Sequence, residues 1–591
     1  MRTRRFPGAV GALVALGAAA AAAAGGRDAA AAKSTVAFED VTRAAGVQFR
    51  HGIAHFDPKA RNVMPWITAG GAAVAVGDFD NDGLDDLYFT TSVEGGKNGL
   101  YHNDGNFHFT EVGARSGIAD VNGDPAAGTS SFALWFDYDG DGWQDLLLVR
   151  FGKLSLYRNK HDGTFEDTTA KAGVGRFMNA LSAVAFDYDR DGRLDLYVAG
   201  YFPPKDLHHL PDTRILFDSW ESARNGGTKV LFHNNGDGTF TDVTEQAGVQ
   251  DTGWTTAVGH GDIDNDGWQD LYLANDFGPD TVFRNLGNGK FENITRKAIG
   301  VDTKKGMCVE FGDYNNDGFL DVYVTNMTEP YLRECNMLWR NNRDLTFTDV
   351  SEEERACDTG WGWGAKFVDV DNDGWLDLYV ANGFISAGKG EYMDVLLDFV
   401  FKEDVDNTDV ALWPPIGDRS MAGGEPKALL RKTLQGYESI GEAAGVASKL
   451  DGRGVAIADF DGDGRMDLVL TNLNAPPIIY RNVSVNGNHW LELRLEDPTH
   501  PNHAAIGARV IIRAGGTQQL REVNAGNGFA AQSTNLVHFG LGARSQIDEL
   551  AVRWPDGATE KFPPPPVDSA YRLVRGKGFV APALAARKAK R

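Results

Sequence analysis

Short apolar runs recur along the chain, each entered through a polar, glycine-containing turn. Leu87-Tyr88-Phe89, Leu146-Leu147-Leu148, Leu196-Tyr197-Val198, Leu271-Tyr272-Leu273, Val322-Tyr323-Val324, Leu378-Tyr379-Val380 and Leu468-Val469-Leu470 are short and rich in aromatic or β-branched residues, which predicts buried strands. A second phrase alternates with them. Leu156-Tyr157-Arg158-Asn159, a glycine turn, and Phe165-Glu166-Asp167-Thr168-Thr169 followed by Ala172-Gly173-Val174 read as a hairpin. Close copies begin at Leu100, Leu231, Val282 and Leu338, and a worn copy begins at Leu429, with Lys432 replacing the Asn. Each unit supplies four strands, and four-stranded units repeated in this way make propeller blades.

The ends of the array point to closure. Phe38-Glu39-Asp40-Val41-Thr42 with Ala45-Gly46-Val47 is the tail of a unit that lacks a beginning, and Ile479-Tyr480-Arg481-Asn482 is a beginning that lacks its tail. Joined, they make one blade, so the N-terminal strand is expected to complete the seventh sheet and leave no long edge open. The fold class expected is all-β: a seven-bladed β-propeller over residues 36–484 and a C-terminal β-sandwich over 488–576.

The turn ahead of each apolar run repeats the pattern DxDxDGxxD seven times. Side-chain oxygens at its first, third, fifth and ninth positions, with the carbonyl of the seventh, converge on one hard cation if Gly at the sixth position allows a sharp bend. Without a cation such carboxylates repel one another. The expected calcium ligands are therefore Asp78, Asp80, Asp82, Leu84 and Asp86; Asp137, Asp139, Asp141, Trp143 and Asp145; Asp187, Asp189, Asp191, Arg193 and Asp195; and Asp262, Asp264, Asp266, Trp268 and Asp270. The remaining loops supply Asp313, Asn315, Asp317, Phe319 and Asp321; Asp369, Asp371, Asp373, Trp375 and Asp377; and Asp459, Asp461, Asp463, Arg465 and Asp467. An EF-hand is excluded, because it needs a bidentate Glu at position twelve between two helices, whereas position twelve of the first loop is Phe89 in an apolar run.

Composition adds three points. A net charge of -24 over 591 residues argues against a nucleic-acid partner, since such affinity rests on Lys and Arg neutralising phosphates. With 42% hydrophobic residues the chain is foldable despite that charge, which the acidic loops explain locally. Arg2, Arg4 and Arg5, then the small apolar stretch Gly8 to Ala24, read as a signal peptide over residues 1–32, implying a secreted or periplasmic protein that is not an integral membrane protein once processed. Residues 577–591 read as a disordered basic tail.

The repeats resemble the FG-GAP and VCBS repeats of integrin alpha-type propellers, and more closely the secreted cartilage acidic protein family. Asn488-His489-Trp490-Leu491, Ala505-Ile506-Gly507-Ala508-Arg509-Val510, Arg521-Glu522-Val523, His538-Phe539-Gly540-Leu541-Gly542 and Arg553-Trp554-Pro555-Asp556-Gly557 resemble an ASPIC/UnbV domain. The resemblance implies an extracellular or periplasmic binding protein whose partner is a protein, a glycan or a small molecule. The UnbV label also implies, as an alternative, an accessory or catalytic role in enediyne-like biosynthesis; a structural or matrix-anchoring protein with the propeller as scaffold is a third reading.

If the acidic loop joins the first two strands of each blade on one face, the connection after the second strand lies on the opposite, top face. Two long insertions, about 202–228 and 384–425, fall there, and long loops on a rigid scaffold often carry function. Glu391 to Asp404 in the second insertion reads as an apolar-rich helix. Trp254, Asn275, Asp276, Trp361 and Trp363 are the candidate ligand contacts. Cys335 and Cys357 bracket the outer hairpin of the fifth blade and are placed to pair; Cys308 begins a strand on the same side, so three pairings stay open. The paired histidines His208 and His209, and His51 with His55, lack the accompanying ligands a metal site needs. No GxSxG, HExxH, Walker-type loop or cofactor fingerprint occurs, which favours binding over catalysis.

Overall fold

The computed structural model describes residues 36–580 apart from 389, 401, 403 and 404. The expected signal peptide and most of the expected basic tail lie outside the described residues. Seven sheets carry the seven acidic loops, each of four antiparallel strands with Ala531–Gln532 added in parallel to the first, and are numbered here as blades 1 to 7 by loops starting at Asp78, Asp137, Asp187, Asp262, Asp313, Asp369 and Asp459. Blade 2 shows the plan: Gly128–Phe136, Asp145–Gly152, Ser155–Asn159 and Phe165–Asp167 pair in sequence order. In blade 7 the outer strand is Phe38–Asp40, paired in register with Tyr480 to Asn482 from the far end of the array. The N-terminal strand therefore closes the ring as the split repeat predicts.

The conserved-looking spelling of each repeat has a local cause. The ninth Asp of every loop takes the backbone N–H of the third strand, at 2.7–2.8 Å in all seven blades, so the loop is tied to the hairpin behind it. The hairpin Asn then reaches across to the preceding blade. Asn159 donates to Phe79 O at 2.7 Å and Asn482 to Val370 O at 2.9 Å, and Asn103, Asn234, Asn285 and Asn341 do the same around the ring. Blade 6 carries Lys432 there, and its ammonium instead meets Glu354 Oε2 at 2.5 Å.

Two more four-stranded sheets make the C-terminal domain, one built on His489–Glu496 and the other on Arg509–Ala514. The first sheet ends with Gly578–Val580, paired to Arg572–Val574, so ordered structure runs four residues further than the sequence suggested and the expected tail is correspondingly shorter. Backbone pairing supplies what composition alone does not signal there.

Segment 524–535 of this domain runs into the centre of the ring. Ala185 N donates to Ala525 O, Val74 N to Ala530 O, Trp135 N to Gln532 Oε1, and Ile457 N to Ser533 Oγ, at 2.7–3.1 Å. Asn527 clasps both backbone groups of His260 at 2.9 Å, and Lys366 Nζ donates to Asn527 O at 2.7 Å. Six blades thus hydrogen-bond one plug. Close approach demands small residues: a Cβ on Gly454 would lie 2.2 Å from Ala530 O. Among the described residues no helix is long and apolar enough to cross a membrane.

Candidate functional site

Two regions gather chemistry, and they lie on opposite faces. On the loop face, the first Asp of each loop accepts the N–H of the sixth-position Gly at 2.7–3.0 Å. Those glycines hold φ between 81° and 94°, a region closed to most side chains. The fourth position is also left-handed in every loop, as Asn, Gly or Arg, a signal present in the sequence that the DxDxDGxxD pattern omits.

Charge in the loops is concentrated and only partly balanced. In six blades the base one residue before the hairpin Asn, or before Lys432 in blade 6, sits over the loop: His102 with Asp80 at 3.0 Å, Arg158 with Asp139 at 2.5 Å, His233 with Asp195 at 3.2 Å, Arg284 with Asp264 at 2.7 Å, Arg431 with Asp371 at 2.8 Å and Arg481 with Asp461 at 2.6 Å. In loops 2, 6 and 7 that base takes one oxygen of the third-position carboxylate. The other oxygen, Asp139 Oδ1, Asp371 Oδ1 or Asp461 Oδ1, is buried and without a partner, as are Asp189 Oδ1, Asp262 Oδ1 and Asp321 Oδ2. Burial, with help from neighbouring carboxylates, pushes Asp137 up to about 6, Asp187 up to about 8 and Asp145 up to about 9. Clustered carboxylate oxygens, buried oxygens lacking partners and unfavourable self-repulsion together fit a hard divalent cation, although His102 and His233 stand beside two of the clusters. The triads Asp78-Asp80-Asp86 and Asp137-Asp139-Asp145 each bring one oxygen per residue within 4.8 Å of the others.

The C-terminal domain covers this face. Arg494 Nη2 meets Asp85 Oδ1 at 2.9 Å, Arg553 pairs with Asp262, His503 Nε2 reaches Gly140 O at 3.2 Å, and Gly542 N donates to Asn372 O at 2.7 Å.

On the top face, three arms fold over the mouth of the ring: residues 51–67 and the two long insertions. Ile215 N donates to Thr408 O and Val410 N to Thr213 O, each at 2.9 Å, and Asn62 Nδ2 donates to Trp413 O at 3.0 Å. The helix in the second insertion is Met393–Val400, with Met393, Leu396, Phe399 and Val400 turned inward; the expected end at Asp404 lies outside the described residues. The N-terminal arm, which contributes Trp66, is a part of this roof that sequence reasoning missed.

Beneath the roof lies an aromatic chamber. Trp66, Phe217, Trp220, Trp254, Phe277, Trp361, Trp363 and Phe384 line it with Tyr201, Met307, Met327 and Asp276, and its free space is about 30 Å³ in this conformation. Four of the five candidate contacts, Trp254, Asp276, Trp361 and Trp363, therefore meet at one cavity, all at most 5% exposed. Asn275 is buried beside it, where its amide donates to Pro279 O at 2.6 Å and holds the turn. Phe529, from the plug, packs on Trp363 with ring centroids 5.1 Å apart, so the C-terminal domain touches the chamber wall from below. Cys335 and Cys357 form a disulfide with Cα atoms 4.8 Å apart, and Cys308 is free and buried. His209 pairs with Asp206 at 3.0 Å and His208 packs on Phe56, so the two rings do not converge on one point.

The FG-GAP-like repeat family matches residues 137–198, 222–273, 262–324 and 333–380, and the ASPIC and UnbV family matches residues 498–579. The chain is similar to cartilage acidic protein 1 of Xenopus tropicalis, 25% identical over 452 residues, and of Mus musculus, 26% identical over 441 residues; each match covers 71% of this chain. It spans about 60% of the length of those relatives. Among solved structures, a lectin of Agrocybe aegerita described as recognising non-reducing terminal N-acetylglucosamine aligns at 15% identity and a TM-score of 0.35, covering 69% of this chain and 86% of the lectin.

Proposed function

We propose that this chain, a propeller of FG-GAP-like repeats bearing an ASPIC and UnbV domain and similar to cartilage acidic protein 1, is an exported calcium-loaded protein that holds a small, largely apolar ligand in its top-face chamber. The chamber carries the reading. Its wall is mostly carbon, which suits a largely apolar ligand better than a glycan, whose hydroxyls need many hydrogen-bond partners. A protein partner calls for an exposed apolar patch, whereas these aromatic rings are roofed over. With about 30 Å³ free, the ligand enters when the roof shifts.

Calcium loading is supported by the unpartnered inward oxygens and by seven loops of one donor pattern. Its part is structural: the ions offset repulsion on the loop face while the chamber works on the other. Export is supported by the Cys335–Cys357 disulfide, a bond that persists in oxidising compartments.

The test is a titration with the neutral dye N-phenylnaphthylamine. Saturable, one-to-one fluorescence enhancement fed by energy transfer from indole, and weakened in Trp254→Ala, is the expected result. Dye emission that rises without saturation, or that is unchanged in Trp254→Ala, rejects the chamber as the ligand site.

A further inference from the structure

Asp276 is the polar residue of the chamber whose presence the fold leaves unexplained. It lies in the turn Asn275-Asp276-Phe277-Gly278-Pro279-Asp280, and that turn is held by its neighbours. Asn275 N donates to Asp280 Oδ1 at 2.8 Å, Tyr272 OH to Asp280 Oδ2 at 2.7 Å, and the Asn275 amide to Pro279 O. Asp276 takes no part in this network. Among the described residues its hydrogen-bond donor is the Tyr201 hydroxyl, at 2.5 Å, and the side chain is 5% exposed residue-wide among indole and phenyl rings. A buried carboxylate costs several kcal/mol unless it is paired, so a site that keeps one has a use for it.

Among the described residues no cation pairs with it: Arg453, over Trp363, spends its guanidinium on the carbonyls of Ala69, Gly383, Gly452 and Phe384. Lys305, the nearest candidate, is 1% exposed and is spent on Glu334 at 3.2 Å, with its ammonium 5.1 Å from the Trp220 ring. With Lys305 taken by Glu334, the Asp276 carboxyl is left without an ion-pair partner among the described residues. Burial pushes Asp276 up to about 7, as expected for a carboxylate that lacks its counter-charge.

The rings around it complete the picture. Tyr201 packs edge-on against Trp254 with centroids 5.1 Å apart, and Trp66 lies 6.3 Å from Phe277. Lys305 already stands over Trp220, and Arg453 over Trp363 at 4.2 Å, but among the described residues no cation stands over Trp66 or Trp254. Electron-rich faces left open beside an unbalanced carboxylate attract an organic cation, which gains from both at once. At the far end, the indole N–H groups of Trp361 and Trp363 are buried without acceptors, and an oxygen on the ligand would satisfy them.

Resting on the chamber being the ligand site, we propose that its ligand is an organic amine or quaternary ammonium on a flat apolar body, the cationic end at Asp276 and Trp254 and a hydrogen-bond acceptor toward Trp361 and Trp363. A neutral apolar molecule leaves the carboxylate uncompensated, and an anion meets it with repulsion. The ligand class follows from the chamber's two unmet needs.

The experiment compares phenethylamine and benzyltrimethylammonium with uncharged 2-phenylethanol by calorimetry on the full chain in calcium. Both cations are expected to bind at least about 10-fold tighter than the alcohol, the range of a desolvated cation–π contact plus a carboxylate. In Asp276→Asn the preference should vanish while the alcohol still binds and the melting temperature holds. Should Asp276→Asn fail to fold, Trp361→Leu serves instead: it should weaken all three probes and leave the ratio between cation and alcohol unchanged. Equal binding of amine and alcohol to the unaltered protein overturns the cationic class and leaves the chamber reading standing. If none of the three probes, nor the neutral dye, binds saturably, the chamber reading itself fails.

Discussion

Asn159 spends its amide on two carbonyls, Phe79 O in blade 1 at 2.7 Å and Gln144 O in its own blade at 3.0 Å. Phe79 O is buried with it and Gln144 O partly so, and truncation leaves the first stranded away from water. Asn159→Ala is expected to destabilise the protein by about 1–3 kcal/mol in urea unfolding, whereas Asn235→Ala, at an exposed turn, should change it by less than about 0.5 kcal/mol. His51 acts at the same scale. It is 3% exposed, and burial, then the Arg453 charge, pushes it down to about 3 from 6.5. The unfolded chain takes up a proton there that the folded chain refuses, so this stability is complete above pH 6.5 and is lost as pH falls from 6.5 toward 3. The slope for one such site approaches about 1.4 kcal/mol per pH unit. In Asn474, the backbone N–H donates to His51 Nδ1 at 3.4 Å, so His51→Gln keeps an acceptor and should flatten the acid limb of stability measured by urea titration at each pH.

Among the elements, the plug 524–535 does what no blade strand does, since it answers to six blades at once. Its tip, Phe529, is 1% exposed and packs on Trp363, and Gly526 passes so close that a Cβ there would lie 2.4 Å from Ala183 O. Phe529→Ala is expected to cost about 3–5 kcal/mol and to loosen the chamber floor. The measurement is paired: the chemical denaturation midpoint, and dye affinity in the chamber. An unchanged midpoint would mean that the plug rests in the ring without supporting it. The roof is a contrasting element: its two insertions meet through a few backbone hydrogen bonds and the Arg214–Asp406 ion pair at 3.0 Å rather than through a blade sheet.

For the whole molecule, the proposed calcium ions and the C-terminal domain share one face, so loop repulsion and domain docking are coupled. Extracellular calcium modules bind with dissociation constants near 10⁻⁴ to 10⁻³ M, so at about 10-fold excess each site adds about 1.4 kcal/mol. Seven sites approach about 10 kcal/mol, comparable to the stability of an ordinary domain. Chelation should therefore lower the melting temperature strongly and reversibly, with calcium restoring it and magnesium restoring less. A melting temperature indifferent to chelator refutes the structural role given to the ions.

What the sequence determined by itself was everything written in local spacing. The four-strand unit and the seven acidic loops follow from residues a few positions apart, because turn geometry and hairpin pairing are set by neighbours, and the split blade sealed by Phe38–Asp40 follows from one repeat divided between the two ends of the array. The placement of the two insertions on one face followed as well, since strand alternation fixes which side each connection leaves. The tertiary structure alone decided how distant segments meet. His260 and Asn527 are 267 residues apart, and Asp262 meets Arg553 across a similar gap; no periodicity marks either pair. The same holds for the chamber, where Trp66, Asp276 and Trp361 come from three separate parts of the ring. Local patterns state which strands form, but only closure of the ring selects which of their ends face one another and leaves one carboxylate among the indoles.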